Sequence, residues 1–402
     1  FIFIFAPGFY FDPVKKDLSV NILRIMFPYL ALISLVAFAG GIQNSHDRFS
    51  IPAFTPVIFN VCLIFAAVII APNFEMPIYA LAWGVLLAGF LQLLIQYFPL
   101  STINMLPRPV LNFENKGLKK FLLLIMPAIL AGGIIQINIL IDTIFASLLE
   151  TGSPTWLYVS DRLIQFPMGI FAIAIGTVLL PRLSKLDVGS QRQKFIDTLA
   201  NSQSLVIFIG IPSLIGLVFC SEDLIAAIFL RGEFQPIDVF RSSNSLIAFS
   251  FGLPFFMLMK VLTPAFFARK DTKTPMYVAF LALLLNAILN YVLAFVFNFG
   301  HVGLAIGSSI AAFVSVLILE FILFKNGLVY LKNLNYRFFI AIILSSTALI
   351  IFLKFYTAFT DFMIMSQAER FLYLGVEVIF SIIIYFSIAR LILGTSFIKQ
   401  FN

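Results

Sequence analysis

The chain is dominated by apolar runs that are each about as long as a lipid bilayer is thick. About eleven complete runs reach the ~20 residues that a helix needs to cross the hydrocarbon core. Of the 402 residues, 61% are hydrophobic and 11% are charged, which is too little polar surface for a soluble domain. The predicted fold class is therefore an all-α polytopic membrane protein. The runs cover residues 21–44, 51–72, 77–98, 119–149, 155–181, 202–221, 242–268, 275–298, 302–324, 336–357 and 371–394.

Loop charges predict the orientation. Alternate loops are rich in Lys and Arg, whereas the loops between them hold acids such as Glu75, Glu150 and Asp361. Basic loops stay in the cytoplasm, so we expect the C-terminus to be cytoplasmic and the short opening segment to end outside. The basic residues are scattered despite a net charge of +7, so nucleic acid is not an expected partner. Cys62 and Cys220 lie inside apolar runs and indicate neither a disulfide nor a metal site.

Two parts of the chain repeat each other at an offset of about 224 residues. The aligned pairs are Gly8 with Gly232, Pro28 with Pro254, and Pro52 with Pro275. Three further runs precede the second copy but only a short stub precedes the first, so two helices and most of a third are expected upstream. Six runs separate the copies, which therefore share an orientation. We predict an incomplete N-terminal lobe (1–115), a C-terminal lobe (116–330) and a C-terminal helix pair (331–402).

An adjacent acid and base, Asp161 and Arg162, stand at the head of the 155–181 run. On a helix, one stripe holds Arg162, Gln165, Gly169, Ala172 and Gly176. Because the stripe is polar at one end and small along its length, we expect a helix or a water-filled cavity against it. Guanidinium binds phosphate oxygens bidentately, so Arg162 indicates an anion site. Residues 163–181 alone could also span, which would leave Arg162 at the interface, paired with a carboxylate.

Three more polar residues lie in or beside the apolar runs. Lys260 stands between Pro254 and Pro264, which favours a broken helix lining a cavity, although the side chain could instead extend to the cytoplasmic interface. Glu377 is either a neutral packed acid or a contact for a lipid headgroup. His301, at an outer loop end, is expected to be solvated.

An oxygen-rich set completes the candidates. Its members are Asn138 and Asp142 on one helix, Asn286 and Asn290 on another, and Ser308 and Ser309 on a third. Carboxylate, amide and hydroxyl oxygens suit a hard monovalent cation, and a lone buried carboxyl prefers to be protonated. The set therefore predicts a Na⁺ or H⁺ coupling site. The alternative is hydrogen bonding between helices by the amides.

Three segments resemble the MurJ/MviN-type lipid II flippases of the multidrug/oligosaccharidyl-lipid/polysaccharide exporter superfamily. They are residues 24–60, 142–185 and 260–275, which read RIMFPYLALISLVAFAGGIQNSHDRFSIPAFTPVIFN, DTIFASLLETGSPTWLYVSDRLIQFPMGIFAIAIGTVLLPRLSK and KVLTPAFFARKDTKTP. The resemblance implies fourteen helices: two six-helix lobes around a central cavity, and two C-terminal helices that form a groove for a lipid tail. It also implies a multi-pass protein of the bacterial inner membrane, surrounded by membrane lipids. We expect the protein to be a monomer.

The activity that the resemblance implies is movement of the undecaprenyl-diphosphate-linked peptidoglycan precursor to the periplasmic leaflet. Arg162 in the DRL motif is then a cavity residue that engages the diphosphate. Thr155 stands where the family often has a small hydroxyl residue, and Gln165 where some members carry glutamate. With Lys260, these residues form the predicted substrate site. No cofactor is expected beyond a coupling ion.

Other functions remain open at this point. The nearest are an exporter of O-antigen lipid or of drugs, although Arg162 and Lys260 argue against cationic drugs. A truncated, non-transporting membrane protein is a further alternative. An enzyme is not expected, because no metal-ligand spacing, glycine-rich phosphate loop or nucleophile beside a base occurs.

Overall fold

The computed structural model describes residues 1–107, 133, 136–186, 191–328 and 336–394. The chain divides into two compact units, Phe1–Met126 and Pro127–Asn402. Within the described residues, ten helices are long and apolar enough to cross a membrane. They account for ten of the predicted runs. Most of the remaining run, 119–149, lies outside the described residues, and the described part of it contains the apolar helix Gln136–Leu148. The predicted boundaries at 115/116 and 330/331 also lie outside the described residues.

The first unit is organised around its last helix. Its helices are α1 (Ile2–Phe5), α2 (Pro7–Tyr10), α3 (Pro13–Met26), α4 (Pro28–Ser45), α5 (Ser50–Phe65) and α6 (Ile78–Thr102). Helix α6 packs against α3, α4 and α5. Its buried Gln92 donates to the Thr55 carbonyl at 2.9 Å, and its buried Gln96 accepts from the side chain of Gln43. These side-chain hydrogen bonds hold the helices together. In a membrane the hydrophobic effect does not favour helix–helix contact over contact with lipid.

The second unit holds the remaining helices. They are α7 (Gln136–Leu148), α8 (Ser153–Pro167), α9 (Ala174–Ser184), α10 (Arg192–Phe219), α11 (Ser221–Phe229), α12 (Pro236–Ala268), α13 (Lys273–Tyr291), α14 (Gly300–Lys325), α15 (Tyr336–Phe359) and α16 (Gln367–Leu393). Helix α12 is the most buried and packs against α8, α9, α10 and α14. Small residues along it, such as Ser245, Ser250 and Gly252, allow this close approach.

Helix lengths reproduce the sequence repeat. The continuous span Pro13–Ser45, built from α3 and α4, has 33 residues, and α12 (Pro236–Ala268) also has 33. The next span has 24 residues in both places, Ser50–Asn73 and Lys273–Val296. Both 24-residue spans have a π-helical turn at or near their C-terminal end. The turn is Ala66–Ile70 in the first unit and Val292–Val296 in the second. The repeat read from a few prolines and glycines therefore extends to whole helices.

Helix α12 is continuous through both of its prolines, so the predicted break around Lys260 is wrong. Pro264 has no N–H, which leaves the Lys260 carbonyl without its intrahelical donor. Neighbouring helices pack closely here, where Val261, Leu262 and Ala265 are fully buried, and this packing favours a continuous helix. The Lys260 side chain itself is exposed.

Helices α8 and α9 form one span with a π-helical turn between them, at Met168–Ile173. The turn follows Pro167, which cannot donate to the preceding turn. A π-helical turn inserts an extra residue and so rotates everything beyond it relative to what comes before. The faces of the helix above and below residue 168 therefore differ from those of a uniform α-helix.

Candidate functional site

Arg162 lies on α8 with its side chain exposed. The guanidinium stacks over the exposed ring of Tyr158, one turn earlier, with its carbon 4.7 Å from the ring centroid. Within the described ranges it makes no ion pair closer than 4 Å. The neighbouring Asp161 instead accepts a 2.6 Å hydrogen bond from Gln165 Nε2. The arginine therefore presents its donors outward, held in place by a ring.

Two further predicted residues lie near Arg162. Thr155 is exposed and lies seven residues before Arg162. Seven residues make about two helical turns, so the two side chains share a face. Gln165 is also exposed, but its amide nitrogen is engaged by Asp161, which leaves its oxygen as the free group. The structure thus brings Thr155, Arg162 and Gln165 to one stretch of α8.

The predicted stripe on this helix is split by the π-helical turn. Arg162, Gln165 and Gly169 are exposed, whereas Ala172 is fully buried. Gly176 packs against α12, where a Cβ atom would come within 2.6 Å of the Lys260 carbonyl oxygen. A helix therefore covers only the part of the stripe with Ala172 and Gly176. The extra residue of the π-helical turn rotates this part toward α12.

Lys260 and Arg162 do not converge. Lys260 lies level with Gly176, and Gly176 is fourteen residues beyond Arg162 on the same span. At 1.5 Å per residue the two levels are about 21 Å apart along the helix. The two predicted cations therefore lie at different depths, and one diphosphate group does not bridge them.

The oxygen-rich residues do come together, on three helices. Asp142 of α7 accepts from Asn290 Nδ2 at 2.6 Å and from Asn138 Nδ2 at 3.3 Å. Asn286 and Asn290 of α13 are buried and lie 2.8 Å apart, from Asn286 Oδ1 to Asn290 Nδ2. Asn286 also reaches Ser308 of α14, at 3.0 Å from its amide nitrogen to Oγ. We call these five side chains the polar junction.

The surroundings of Asn286 favour its amide with oxygen and nitrogen exchanged, because the oxygen then accepts from Ser308 N at 3.2 Å as well. With oxygen and nitrogen exchanged, its oxygen accepts from Ser308 Oγ at 3.0 Å and its nitrogen lies 3.1 Å from Asp142 Oδ1. Asn290 Oδ1 is buried and has no hydrogen-bond partner among the described residues. It lies against Gly307, where an added Cβ would be 2.5 Å away. This oxygen is therefore a buried acceptor without a donor in the described residues.

Ser309 belongs elsewhere. Its hydroxyl donates to the Ala248 carbonyl of α12 at 2.8 Å, so it joins α12 to α14 and not the polar junction. No group of three or more His, Cys, Asp or Glu side chains in the described part of the chain is placed to hold a metal ion. The junction has one carboxylate and several neutral oxygens, which suits a monovalent cation or a proton.

Sequence reasoning missed a cluster at the beginning of α8 and α12. Trp156 is buried and donates to Asp238 Oδ1 at 2.7 Å, with the Arg241 guanidinium 5.4 Å from its ring. Glu150 pairs with Arg241 at 3.1 Å. The expectation that His301 is solvated is wrong: its ring packs 4.8 Å from that of Trp156, and Nε2 lies 3.0 Å from the Arg241 carbonyl. The signal available in the sequence was the capping pair Gln235 and Asp238.

A second missed group is Glu320, in the C-terminal third of α14. Its carboxyl accepts from the side-chain amide of Gln203 on α10. The signal in the sequence is the acid itself, because an ionisable residue inside an apolar run is a candidate functional group. This hydrogen bond joins two spans, α10 and α14.

Comparisons with known proteins agree with this architecture. The family described as "Lipid II flippase MurJ" matches residues 1–372. The "Probable lipid II flippase MurJ" of Vibrio cholerae serotype O1 is 40% identical over 337 residues, which cover 82% of this chain and 64% of the relative. The "Lipid II flippase MurJ" of Burkholderia cenocepacia is 35% identical over 346 residues, covering 85% of this chain and 67% of the relative. The chain thus spans about two thirds of the length of these relatives.

A solved structure extends the agreement to the fold. "Lipid II flippase MurJ, inward closed conformation" superposes with a TM-score of 0.80 at 28% identity, over 98% of this chain and 77% of that one. Both the sequence match and the helical arrangement run through both units. The chain belongs to the family of MurJ lipid II flippases.

Proposed function

We propose that the protein moves lipid II from the cytoplasmic to the periplasmic leaflet of the inner membrane by alternating access of its two lobes. Exposed Arg162, on a membrane-spanning helix and without an ion pair in the described ranges, is the observation that carries this proposal. Diphosphate and sugar groups do not cross apolar core unless their charges and hydroxyls are solvated. A bilayer-depth guanidinium supplies that solvation and keeps its charge.

In this proposal the residues near Arg162 divide the work. The guanidinium engages the diphosphate, and Thr155, on the same face, offers a hydroxyl to the same headgroup. Gln165 positions Asp161 and offers its amide oxygen. Lys260, about 21 Å deeper along the span, makes a separate contact with the anionic lipid at another stage of its passage. The lipid tail stays in the bilayer, along the C-terminal pair α15 and α16.

The polar junction is the proposed coupling site. Asp142, Asn286, Asn290, Asn138 and Ser308 offer the hard oxygen donors that hold Na⁺, and the unpartnered Asn290 Oδ1 fits such an ion. A cation or a proton bound there would neutralise the negative charge of the Asp142 carboxylate, whose partners Asn290 and Asn138 are neutral amides. Because the junction joins α7, α13 and α14, its occupancy would bias the packing of these three helices, which is how an ion gradient drives a conformational cycle.

Asp142→Asn tests the coupling site. In vesicles with an imposed sodium or proton gradient, the variant should lose the dependence of transport on that gradient. Asp197→Asn, an exposed acid on α10, is the matched control and should behave as the parent does. Transport by Asp142→Asn that keeps the parent's response to sodium and pH would remove the polar junction from the mechanism.

The orientation and the state of assembly complete the proposal. The loop charges support a cytoplasmic C-terminus. Both copies of the repeat lie in one chain, which supports action as a monomer. A fusion of a cytoplasm-specific reporter to the C-terminus should be active, and an inactive fusion that is present in the membrane would reverse the orientation.

Rescue of growth tests the transport function. A bacterium depleted of its own lipid II flippase should grow when it expresses the parent protein but not the Arg162→Ala variant. Arg162→Lys keeps the positive charge but loses the planar guanidinium that binds phosphate oxygens bidentately, so partial rescue of growth is expected. The control Arg231→Ala changes an exposed loop arginine and should rescue fully. Full rescue by Arg162→Ala at the parent's expression level would remove Arg162 from the substrate site.

A further inference from the structure

A buried acid lies where the C-terminal pair meets the second unit. Glu377 on α16 is 0% exposed, and neither of its carboxyl oxygens accepts from an N–H or O–H group among the described residues; the Cys220 thiol, a weak donor, lies against it. Full burial excludes the lipid-headgroup contact that its position in the sequence left open. Helix α16 packs here on the short helix α11, close to the Cys220 thiol that precedes it.

The two cations described on the C-terminal pair, Arg370 and Lys354, have other partners. Arg370, two turns earlier on α16, donates to the carbonyls of Leu230, Phe362 and Met363 at 2.7–3.1 Å and pairs with no carboxylate in the described ranges. Lys354 of α15 extends over the Phe219 ring, 6.0 Å from its centroid. An ionised Glu377 would therefore be a buried charge without compensation, which is strongly unfavourable.

A second carboxyl lies on α11, the helix against which α16 packs. Asp223 on α11 has a buried Oδ2 without a partner, and it lies within electrostatic range of Glu377. Burial, followed by the charges of Glu377, Glu222 and Asp361, raises the pKa of Asp223 to about 7. The other titratable neighbours are Cys220 and Tyr356, and α10 and α12 meet α11 through hydrophobic side chains. Two like charges at this place disfavour each other, so at least one proton is retained.

We propose that Asp223 and Glu377 form a proton-binding site that fastens α16 to α11. The proton removes the charge repulsion across the α11–α16 contact, and its loss reintroduces it. The strength with which the C-terminal pair holds to the second unit therefore depends on pH. This inference does not rest on Arg162 or on the polar junction.

Infrared titration of the purified protein in lipid nanodiscs tests the protonation directly. A carboxylic-acid C=O band should be present near neutral pH and should be lost or reduced in Glu377→Gln and in Asp223→Asn. Glu233→Gln, an exposed loop acid, should leave the band unchanged. An identical band in the parent and in the double variant, Asp223→Asn with Glu377→Gln, would mean that neither carboxyl holds a proton, and would overturn the proposal.

Thermal unfolding tests the consequence. A carboxyl with a raised pKa binds its proton more tightly in the folded state, so its contribution to stability is greatest at low pH and falls as pH rises from the ordinary value of 3.8 through about 7. The melting temperature of the parent should fall between pH 5 and pH 8, and Asp223→Asn combined with Glu377→Gln should flatten this decline. An equal decline in the double variant would overturn the proposal, as would a gain at pH 8 on adding sodium but not potassium, which would indicate a metal-cation site.

Discussion

Gly176 lies directly against the main-chain carbonyl of Lys260. A Cβ at residue 176 would be 2.6 Å from that oxygen, which Pro264 leaves without an intrahelical donor. The contact joins the span that carries Arg162 to the most buried helix of the second unit. It fixes how deep Arg162 sits relative to α12.

Gly176→Ala should destabilise the protein by about 1–3 kcal/mol, because the added methyl group meets backbone that is held on every side. Melting temperature in detergent measures the effect. The matched control is Gly169→Ala on the same span, where nothing lies within 4 Å of the added Cβ, so no loss of stability is expected. Equal melting temperatures for the two variants would show that the helices separate easily here.

Gly307→Ala should disturb the polar junction without altering any of its polar groups. The added Cβ would lie 2.5 Å from Asn290 Oδ1, so the amide must move, and its 2.6 Å bond to Asp142 is weakened or lost. The expected result is loss of gradient-dependent transport, measured as for Asp142→Asn. Gly216→Ala on α10, which meets nothing within 4 Å, is the control. Unchanged coupling in Gly307→Ala would separate the position of Asn290 from transport.

Asp238→Ala should destabilise the contact between α8 and α12. The substitution leaves the buried indole N–H of Trp156 without an acceptor and removes the capping bond to the Gln235 N–H at 2.8 Å. An unsatisfied buried donor costs about 1–3 kcal/mol. Chemical or thermal unfolding measures the loss, with the exposed Glu233→Ala as control. A stability equal to that of the parent would indicate that Trp156 finds another acceptor.

Asp271 provides a stability effect that depends on pH. Burial tends to raise the pKa of its carboxyl, but hydrogen bonds from Thr274 Oγ1 at 2.7 Å and Thr274 N at 3.0 Å outweigh it and lower the pKa. A lowered pKa stabilises the folded state above the ordinary value of 3.8 and is lost as pH falls through the folded value.

Asp271→Ala should therefore reduce stability by about 1 kcal/mol at neutral pH, the usual effect of losing a helix cap. The difference between parent and variant should shrink as the pH is lowered below about 4. Melting temperatures at several pH values check both statements. A difference that stays constant down to pH 3 would mean that the charge of Asp271 plays no part.

Much of the fold follows from patterns that are local in the sequence. Bilayer-length apolar runs define the spans, because a helix in lipid has to satisfy its own backbone. The repeat follows from Pro28, Pro52 and their counterparts Pro254 and Pro275, and the structure extends it to equal helix lengths. Residues four apart on one helix, such as Asn286 and Asn290, share a face by geometry alone.

What the sequence could not give depends on contacts between distant residues. The stripe through Arg162 and Gly176 assumed a uniform helix, and the π-helical turn after Pro167 shifts its register. The break expected at Lys260 left out the packing around α12, which is one continuous helix through Pro264. His301 is buried because Trp156, far away in the chain, packs on it. None of these follows from local pattern.

Direct measurement of lipid II translocation tests the central claim. In cells whose only lipid II flippase is this protein, lipid II at the periplasmic face is quantified by its cleavage with a membrane-impermeant enzyme. Loss of charge-assisted hydrogen bonds of about 1.5–3 kcal/mol predicts that Arg162→Ala lowers translocation about tenfold to a hundredfold at equal protein level. Arg231→Ala should match the parent. Translocation by Arg162→Ala at the parent's rate would contradict the account.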